Sequence, residues 1–354
     1  MYPLIQVDLG KLRENAAYLA DVCHKAGIQY YAVTKAVCAQ PDIVAALEDV
    51  VDGFADSRLQ NLARIKTDKP KLLLRIGDPM QARDIVRLSD ISLQSEILTL
   101  HALSDAAQAL NNEHKVVLMV DLGDLREGVM YTDREAILRT AQTVKDLPGL
   151  ILHGVGVNLT CFGGIIPEQE NLGRLVEIAQ WLREELDLPI PMVSGGNSSS
   201  VGLLLRGGVP KGINHLRIGE TMLLDSDTAI GEPFGFLHRD VFTVQAVLGE
   251  VQTKPSQPIG PTGPNAFGER VSFPDLGPMR RGIALIGRQD IDAEGLIPRD
   301  TRITVLGASS DHLIVDLTAA SGYEVGSVVE FGVTYGSLLK AYTSPYLDKV
   351  SINP

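Results

Sequence analysis

Tyr30-Tyr31-Ala32-Val33-Thr34-Lys35-Ala36 is a short run of aromatic, small and β-branched residues that carries a single charge near its end. Such residues favour a pleated, half-buried surface, and Gly27 punctuates the start, so the run predicts a strand with Lys35 at its carboxyl end. Taken alone, it is better read as a strand closing on a solvated lysine. The rest of the chain changes that reading, because strand-like and helix-like stretches keep alternating. Strand patterns recur at Gly53–Ser57, Lys71–Ile76, Ile91–Ser95, Lys115–Asp121, Leu150–Asn158, Pro191–Gly195 and His215–Leu224. Helical spacing separates them, clearest in Ile97, Leu100, Leu103, Ala107 and Leu110, and in Leu172, Leu175, Val176, Ala179, Leu182 and Leu186. Eight such units over residues 11–235 predict a (β/α)8 TIM-type barrel. An open doubly wound sheet is the second architecture, weakened by the lack of a dinucleotide glycine fingerprint after the first strand. In a barrel Lys35 falls on the face where barrel enzymes build their sites, and an amine held there among apolar neighbours suits Schiff-base chemistry.

Composition sets the bounds. The chain has 354 residues, 45% hydrophobic and 21% charged, which is ordinary for a globular protein. No run approaches the roughly 18 apolar residues of a membrane helix. Met1-Tyr2-Pro3-Leu4 lacks the basic-then-apolar pattern of a secretion signal. Cys23, Cys38 and Cys161 are scattered, odd in number and without metal spacing, so a reduced cytoplasm is the expected setting and no metal is expected. A net charge of −12 argues against nucleic-acid binding.

After about Phe236 the texture changes. Phe242–Val251, Gly282–Ile286, Ile303–Gly307, His312–Leu317 and Ser327–Thr334 are strand-like with no long helical stripe between them. Pro255, Pro258, Pro261 and Pro264 mark a loop. Residues 236–354 therefore predict a mostly antiparallel β domain, which residues 1–10 could join as an extra strand. Polar and glycine-rich groups collect at the predicted barrel strand ends. They are Asp121-Leu122-Gly123-Asp124-Leu125-Arg126-Glu127-Gly128, Asn158 with Thr160 and Cys161, Ser194-Gly195-Gly196-Asn197-Ser198-Ser199-Ser200, and Arg217-Ile218-Gly219-Glu220. Small residues, hydroxyls and helix N-terminal amides together make the Ser194–Ser200 stretch a candidate anion site.

In this layout the chain resembles the fold-type III pyridoxal-phosphate enzymes, the alanine racemase superfamily. Val157–Gly164, Ser194–Ser200, Gly287-Arg288-Gln289-Asp290 and Gly307–His312 are most similar to its ornithine racemase branch. The resemblance implies a pyridoxal 5'-phosphate amino-acid racemase acting on ornithine or a related basic amino acid, and a homodimer with shared active sites. It implies that Lys35 carries the cofactor, and that Asn197, Ser198, Ser199, Gly219, Glu220 and Tyr335 hold its phosphate. Arg126 would lie near the phenolic oxygen, Asn158 where alanine racemases carry a histidine, and Arg217 against the pyridine nitrogen. A guanidinium there gives up no proton, so the ring is a weaker electron sink, which favours racemisation over decarboxylation. A diamino-acid decarboxylase and a non-catalytic cofactor-binding protein are the alternatives. The second is argued against by the β domain. One departure stands out. Asn265-Ala266-Phe267-Gly268 puts a phenylalanine where the family has a proton-moving tyrosine. His312 and Asp311 are the candidates for that role, and Asp124, Glu127 and Asp290 are the candidate acceptors for a substrate ammonium.

Overall fold

The computed structural model describes residues 1–353. Two compact units divide the chain: residues 10–239, and residues 1–9 together with 240 onward. The opening strand β1 (Leu4–Asp8) thus leaves the first unit and enters the second. The first unit alternates β2 (Gln29–Val33), β3 (Gly53–Asp56), β4 (Lys71–Leu73), β5 (Ile91–Gln94), β6 (His114–Asp121), β8 (Leu150–Gly156), β9 (Met192–Ser194) and β10 (His215–Ile218) with helices; the short β7 (Val129–Met130) hangs beside β6. All eight main strands are parallel. They run in the order β5-β4-β3-β2-β10-β9-β8-β6, and β5 pairs with β6 through Ile91 and Lys115 to close the ring. That last ladder rules out the open sheet. A small hairpin of β11 (Ser226–Asp227) and β12 (Glu232–Pro233) follows the barrel.

The strands read as nearly continuous apolar runs because each is covered on both sides. Tyr31, Val33, Ala55, Leu72, Leu93, Val117, Met119 and Met192, from six of the strands, pool into one buried cluster. The helices around the ring begin with α1 (Leu9–Lys25), α2 (Pro41–Leu47), α3 (Leu59–Leu62) and α4 (Ala82–Leu88). Next come α5 (Ile97–Ala109), α6 (Arg134–Asp146) and α7 (Gln169–Leu186), which turn their apolar stripes inward, and the short α8 (Val201–Leu205). In α7 the stripe is Leu172, Leu175, Ile178, Ala179, Leu182 and Leu186, and a capping box between Glu168 and Asn171 starts the helix.

The last predicted barrel strand is too long, more so than the others. His215–Leu224 is a strand only to Ile218; after Gly219 the chain turns into the short helix α9 (Glu220–Leu224). A brief apolar run such as Met222-Leu223-Leu224 fits either conformation, and what ends the strand is tertiary. Gly219 passes so close to β2 that a Cβ would lie 2.9 Å from Val33 Cβ and 3.1 Å from its carbonyl oxygen.

In the second unit the main sheet is built from β13 (Phe242–Pro255), β14 (Pro278–Ala284), β15 (Leu296–Pro298), β16 (Thr304–Ala308), β17 (Leu313–Asp316) and β18 (Val328–Val333), in the order β15-β18-β13-β14-β17-β16. All of its pairings are antiparallel. β13 buries Phe242, Val244, Ala246 and Leu248, the alternation expected of a one-sided sheet. β1 pairs antiparallel with β13, Leu4 opposite Gln245, and parallel with the last strand β19 (Asp348–Ile352). The helix α10 (Tyr335–Thr343), the short β15 and β19 carry no clear sequence signal. Among the described residues no helix is long and apolar enough to cross a membrane.

Candidate active site

Lys35 lies two residues past β2, at the start of a single 3-10 turn (Lys35–Val37). Thr34 fixes the approach. Its amide donates to the Ala55 carbonyl at 3.0 Å, and its hydroxyl to Asp56 Oδ2 at 2.8 Å. Asp56 is fully buried, and its other oxygen takes the Arg58 amide at 2.9 Å and Asn61 Nδ2 at 3.0 Å. Burial raises the Asp56 carboxyl above its ordinary value, and these hydrogen bonds oppose the shift. Beyond the lysine, Cys38 and Ala39 both adopt φ near +50°, which turns the chain sharply at a cost of order 1–3 kcal/mol each. Such a turn persists only where its surroundings over-determine it, and it keeps Lys35 at the barrel mouth. The ammonium is part-buried, close enough to Glu220 to draw that carboxyl down against the upward push of burial.

Arg217 is the largest fully buried side chain in the described residues. It points inward from β10, and its guanidinium donates to Ser194 Oγ, to the Val157 carbonyl at 2.7 Å and to Asn158 Oδ1 at 2.8 Å. Burial lowers it to about 10, against the attraction of Glu127 and Cys161, so it stays a cation at neutral pH. The chain of donors continues. Ser194 Oγ also shares a hydrogen bond with His215 Nδ1, 2.8 Å away. His215 is buried and neutral. Burial and the nearby charge of Arg217 push its imidazole well below the ordinary value, in agreement.

The turn after β9 is held by its own side chains. Asn197 caps it through Oδ1, which accepts the Ser199 amide at 2.8 Å. Ser198 Oγ reaches across to the Gly219 amide at 3.1 Å and the Thr221 amide at 3.3 Å, tying this turn to the start of α9. Three buried polar atoms around this turn and β10 have no protein partner, Ser199 Oγ, His215 Nε2 and Arg217 Nε. Unpaired buried donors are costly.

Arg126 and Glu127 pair with each other on the loop after β6, and Asn158 Nδ2 donates to the same Glu127 carboxylate. Arg126, Glu127, Asn158 and Arg217 therefore form one linked row from the surface to the core. Asp124 stands apart from that row. It is 1% exposed, and its carboxylate accepts the Phe162 amide at 3.0 Å and the Ile165 amide at 3.2 Å. It staples two loops together.

The remaining candidates belong to the second unit. Tyr335 is the first residue of α10. Asp290 is buried and accepts from Ser344 Oγ at 2.8 Å. Asp311 and His312 form a half-exposed pair 3.0 Å apart. Phe267 lies in a turn organised by Asn265, with the Arg288 guanidinium 4.3 Å above its ring. In the barrel, Lys35, Arg126, Glu127, Asn158, Asn197, Ser198, Ser199, Arg217, Gly219 and Glu220 come to the mouth or its lining. Thr34, Asp56 and His215 also serve the site but were not legible in the sequence. A threonine before a lysine and an aspartate three strand positions past a glycine are ordinary. His215 had one signal: it shares the inward phase of β10 with Arg217.

A family model described as the alanine racemase N-terminal domain matches residues 7–227. An ornithine racemase from Acetoanaerobium sticklandii is 47% identical over 352 residues, covering 99% of each chain. A lysine racemase from Thermotoga maritima is 34% identical over 354 residues, covering 99% of this chain and 98% of that one. Among solved structures, alanine racemases from Pseudomonas aeruginosa and Streptomyces lavendulae share the fold, with TM-scores of 0.74 and 0.75, sequence identities of 20% and 15%, and 99% of this chain covered in both; they are themselves covered to 100% and 97%. With its closed barrel, its antiparallel second domain and a family match that spans most of the barrel, the chain belongs to the alanine racemase family.

Proposed function

We propose that the protein is a pyridoxal 5'-phosphate-dependent amino-acid racemase that interconverts the enantiomers of ornithine. The observation that carries the reading is the pair of buried, unpartnered donors, Arg217 Nε and Ser199 Oγ, in the site that also holds Lys35. A phosphorylated pyridine needs an anion cradle, a donor for its ring nitrogen and a lysine. The turn from Asn197 to Ser199 with the start of α9, Arg217 and Lys35 are residues of those kinds, so the barrel fits the cofactor. Bound there, the cofactor supplies an electron sink that acidifies the substrate's Cα–H.

The chain's own residues do the rest. Lys35 holds the cofactor and takes or returns a proton on one face of Cα. Arg217, donor on every nitrogen and still charged, would meet the ring nitrogen as a hydrogen-bond donor that gives up no proton, a setting that would favour prompt return of the substrate's proton. Neutral His215 and Ser194 fix the guanidinium's orientation. Arg126, locked to Glu127, presents a cation at the mouth for an anionic group. The ornithine assignment follows the 47% identical relative, and the assembly expected with it is a homodimer. The test is chiral chromatography of ornithine, lysine, arginine and alanine after incubation with holoprotein. Inversion of ornithine is expected; no inversion of any of the four would overturn the racemase reading.

A further inference from the structure

We infer that Cys161 is a catalytic acid–base, the group that moves a proton on the side of the substrate away from Lys35. The inference rests on the racemase reading, which calls for two such groups, because inversion removes a proton from one face of Cα and returns one to the other. The phenyl ring of Phe267 moves no proton.

The geometry points to the thiol. Cys161 follows β8, and the ring order β2-β10-β9-β8 puts that loop three strands away from the one that leads to Lys35. In an eight-membered ring four is the maximum, so the two groups enter the mouth from nearly opposite sides. The thiol is exposed, and its Sγ accepts from Asn197 Nδ2 at 3.3 Å. That contact ties it to the turn carrying the unpartnered, buried Ser199 hydroxyl. It also lies near enough to act electrostatically on Arg217, whose buried Nε is also unpartnered, and on Arg126.

Its loop is held firmly. Thr160, a β-branched residue, is kept at φ 68°, and its hydroxyl donates to the Ile165 carbonyl at 2.8 Å. Asp124 clamps the far side through the Phe162 and Ile165 amides, and the Gly163 amide donates to the Asp124 carbonyl at 3.0 Å. No side chain fits at Gly163, where a Cβ would lie 2.7 Å from that carbonyl oxygen.

The proton count closes. In one direction the Lys35 amine takes the Cα proton and the Cys161 thiol gives its own to the opposite face. In the reverse direction the thiolate takes the proton and the Lys35 ammonium gives one. Each turnover leaves the two groups with exchanged protonation states, which water resets. Only C–H, N–H and S–H bonds change, and no oxidant or reductant is needed.

The test uses holoenzyme, wild type and Cys161→Ala, with each ornithine enantiomer in D2O. Racemisation is expected to fall by roughly 10²–10⁴-fold in the variant. Exchange of the α-hydrogen with retained configuration should persist for one enantiomer only, the one presented to Lys35. Cofactor affinity, read by absorbance titration, should stay at the wild-type value. In wild-type holoenzyme, iodoacetamide labelling of Cys161, read by peptide mass, should slow when ornithine is present. Near-wild-type racemisation by Cys161→Ala would overturn the assignment, as would labelling indifferent to ornithine or loss of exchange for both enantiomers with weakened cofactor binding. So would His312→Gln, rather than Cys161→Ala, separating exchange from inversion. A wild type that inverts nothing would overturn the racemase reading itself, a different outcome from an active Cys161→Ala.

Discussion

At the scale of single residues, the site turns on two cations with unlike settings. Lys35 has a part-buried ammonium on a sharp turn, and Arg217 is fully buried and makes three directed hydrogen bonds. Lysine cannot replace a planar fork that binds Ser194, Val157 and Asn158 at once. Arg217→Lys is expected to leave at least one of those acceptors unpaired, at about 1–3 kcal/mol, and to weaken cofactor binding. Thermal melting and cofactor titration check this; unchanged values for both would refute it. Lys35→Ala should fold normally, since the side chain is a hydrogen-bond partner to nothing that the fold depends on. Borohydride reduction followed by peptide mapping should place the cofactor on Lys35 in wild type and on no residue in the variant. Labelling of another lysine would reassign the site.

At the scale of elements, stability follows the histidines buried between strands. His114 on β6 shares a 2.8 Å hydrogen bond with Ser92 Oγ on β5, and burial pushes its imidazole down to about 4. In the unfolded chain it titrates near 6.5. Above that pH neither state is protonated and the fold carries no penalty. As pH falls from about 6.5 to about 4 the unfolded state takes a proton that the folded state refuses, so stability drops, by on the order of 3 kcal/mol at the lower end. His215 acts in the same direction. Denaturant midpoints measured from pH 7 to pH 4.5 should fall, and His114→Gln should flatten that slope. An identical slope in the variant would show that other groups carry it. The Asp124 staple is also an element-scale feature. Asp124→Ala removes the acceptor of two amides and should cost about 1–3 kcal/mol for each one left buried and unpaired, with earlier proteolysis in residues 159–166 as the readout.

For the whole molecule, the question is substrate. A site that receives a side-chain ammonium must replace its water, and a methyl group leaves those acceptors unpaired. Glu127 is the sequence candidate that the fold brings into one row with Arg126, Asn158 and Arg217, already paired with Arg126 and Asn158, whereas Asp124 and Asp290 accept hydrogen bonds elsewhere, from the Phe162 and Ile165 amides and from Ser344. Ornithine is expected to exceed alanine in kcat/KM by up to roughly 10⁴-fold. Equal turnover of alanine would remove the basic-substrate assignment and leave racemisation standing. Sedimentation is expected to give a dimer, and a fully active monomer would contradict that expectation.

The barrel was legible because its signal is local and repeated. Eight alternations of strand and helix leave few architectures, and the apolar runs from Tyr30 to Ile218 have the lengths that a parallel sheet demands. Lys35 and the Asn197–Ser199 turn could be singled out as candidates because each follows the end of a predicted strand, whereas the role expected of Arg217 came from the family resemblance. Other features depend on distance in space. The strand ends at Ile218 because Gly219 meets Val33, nearly two hundred positions earlier. Leu4–Asp8 joins the second domain because β13 and β19 offer it both edges. Asp124 and Glu127, three residues apart and alike in the sequence, part company only when one is buried under the Phe162 and Ile165 amides and the other meets Asn158. Composition and periodicity fix what a segment can become. Which carboxylate is buried and which donor is left without a partner are decided by contacts between segments that are remote along the chain.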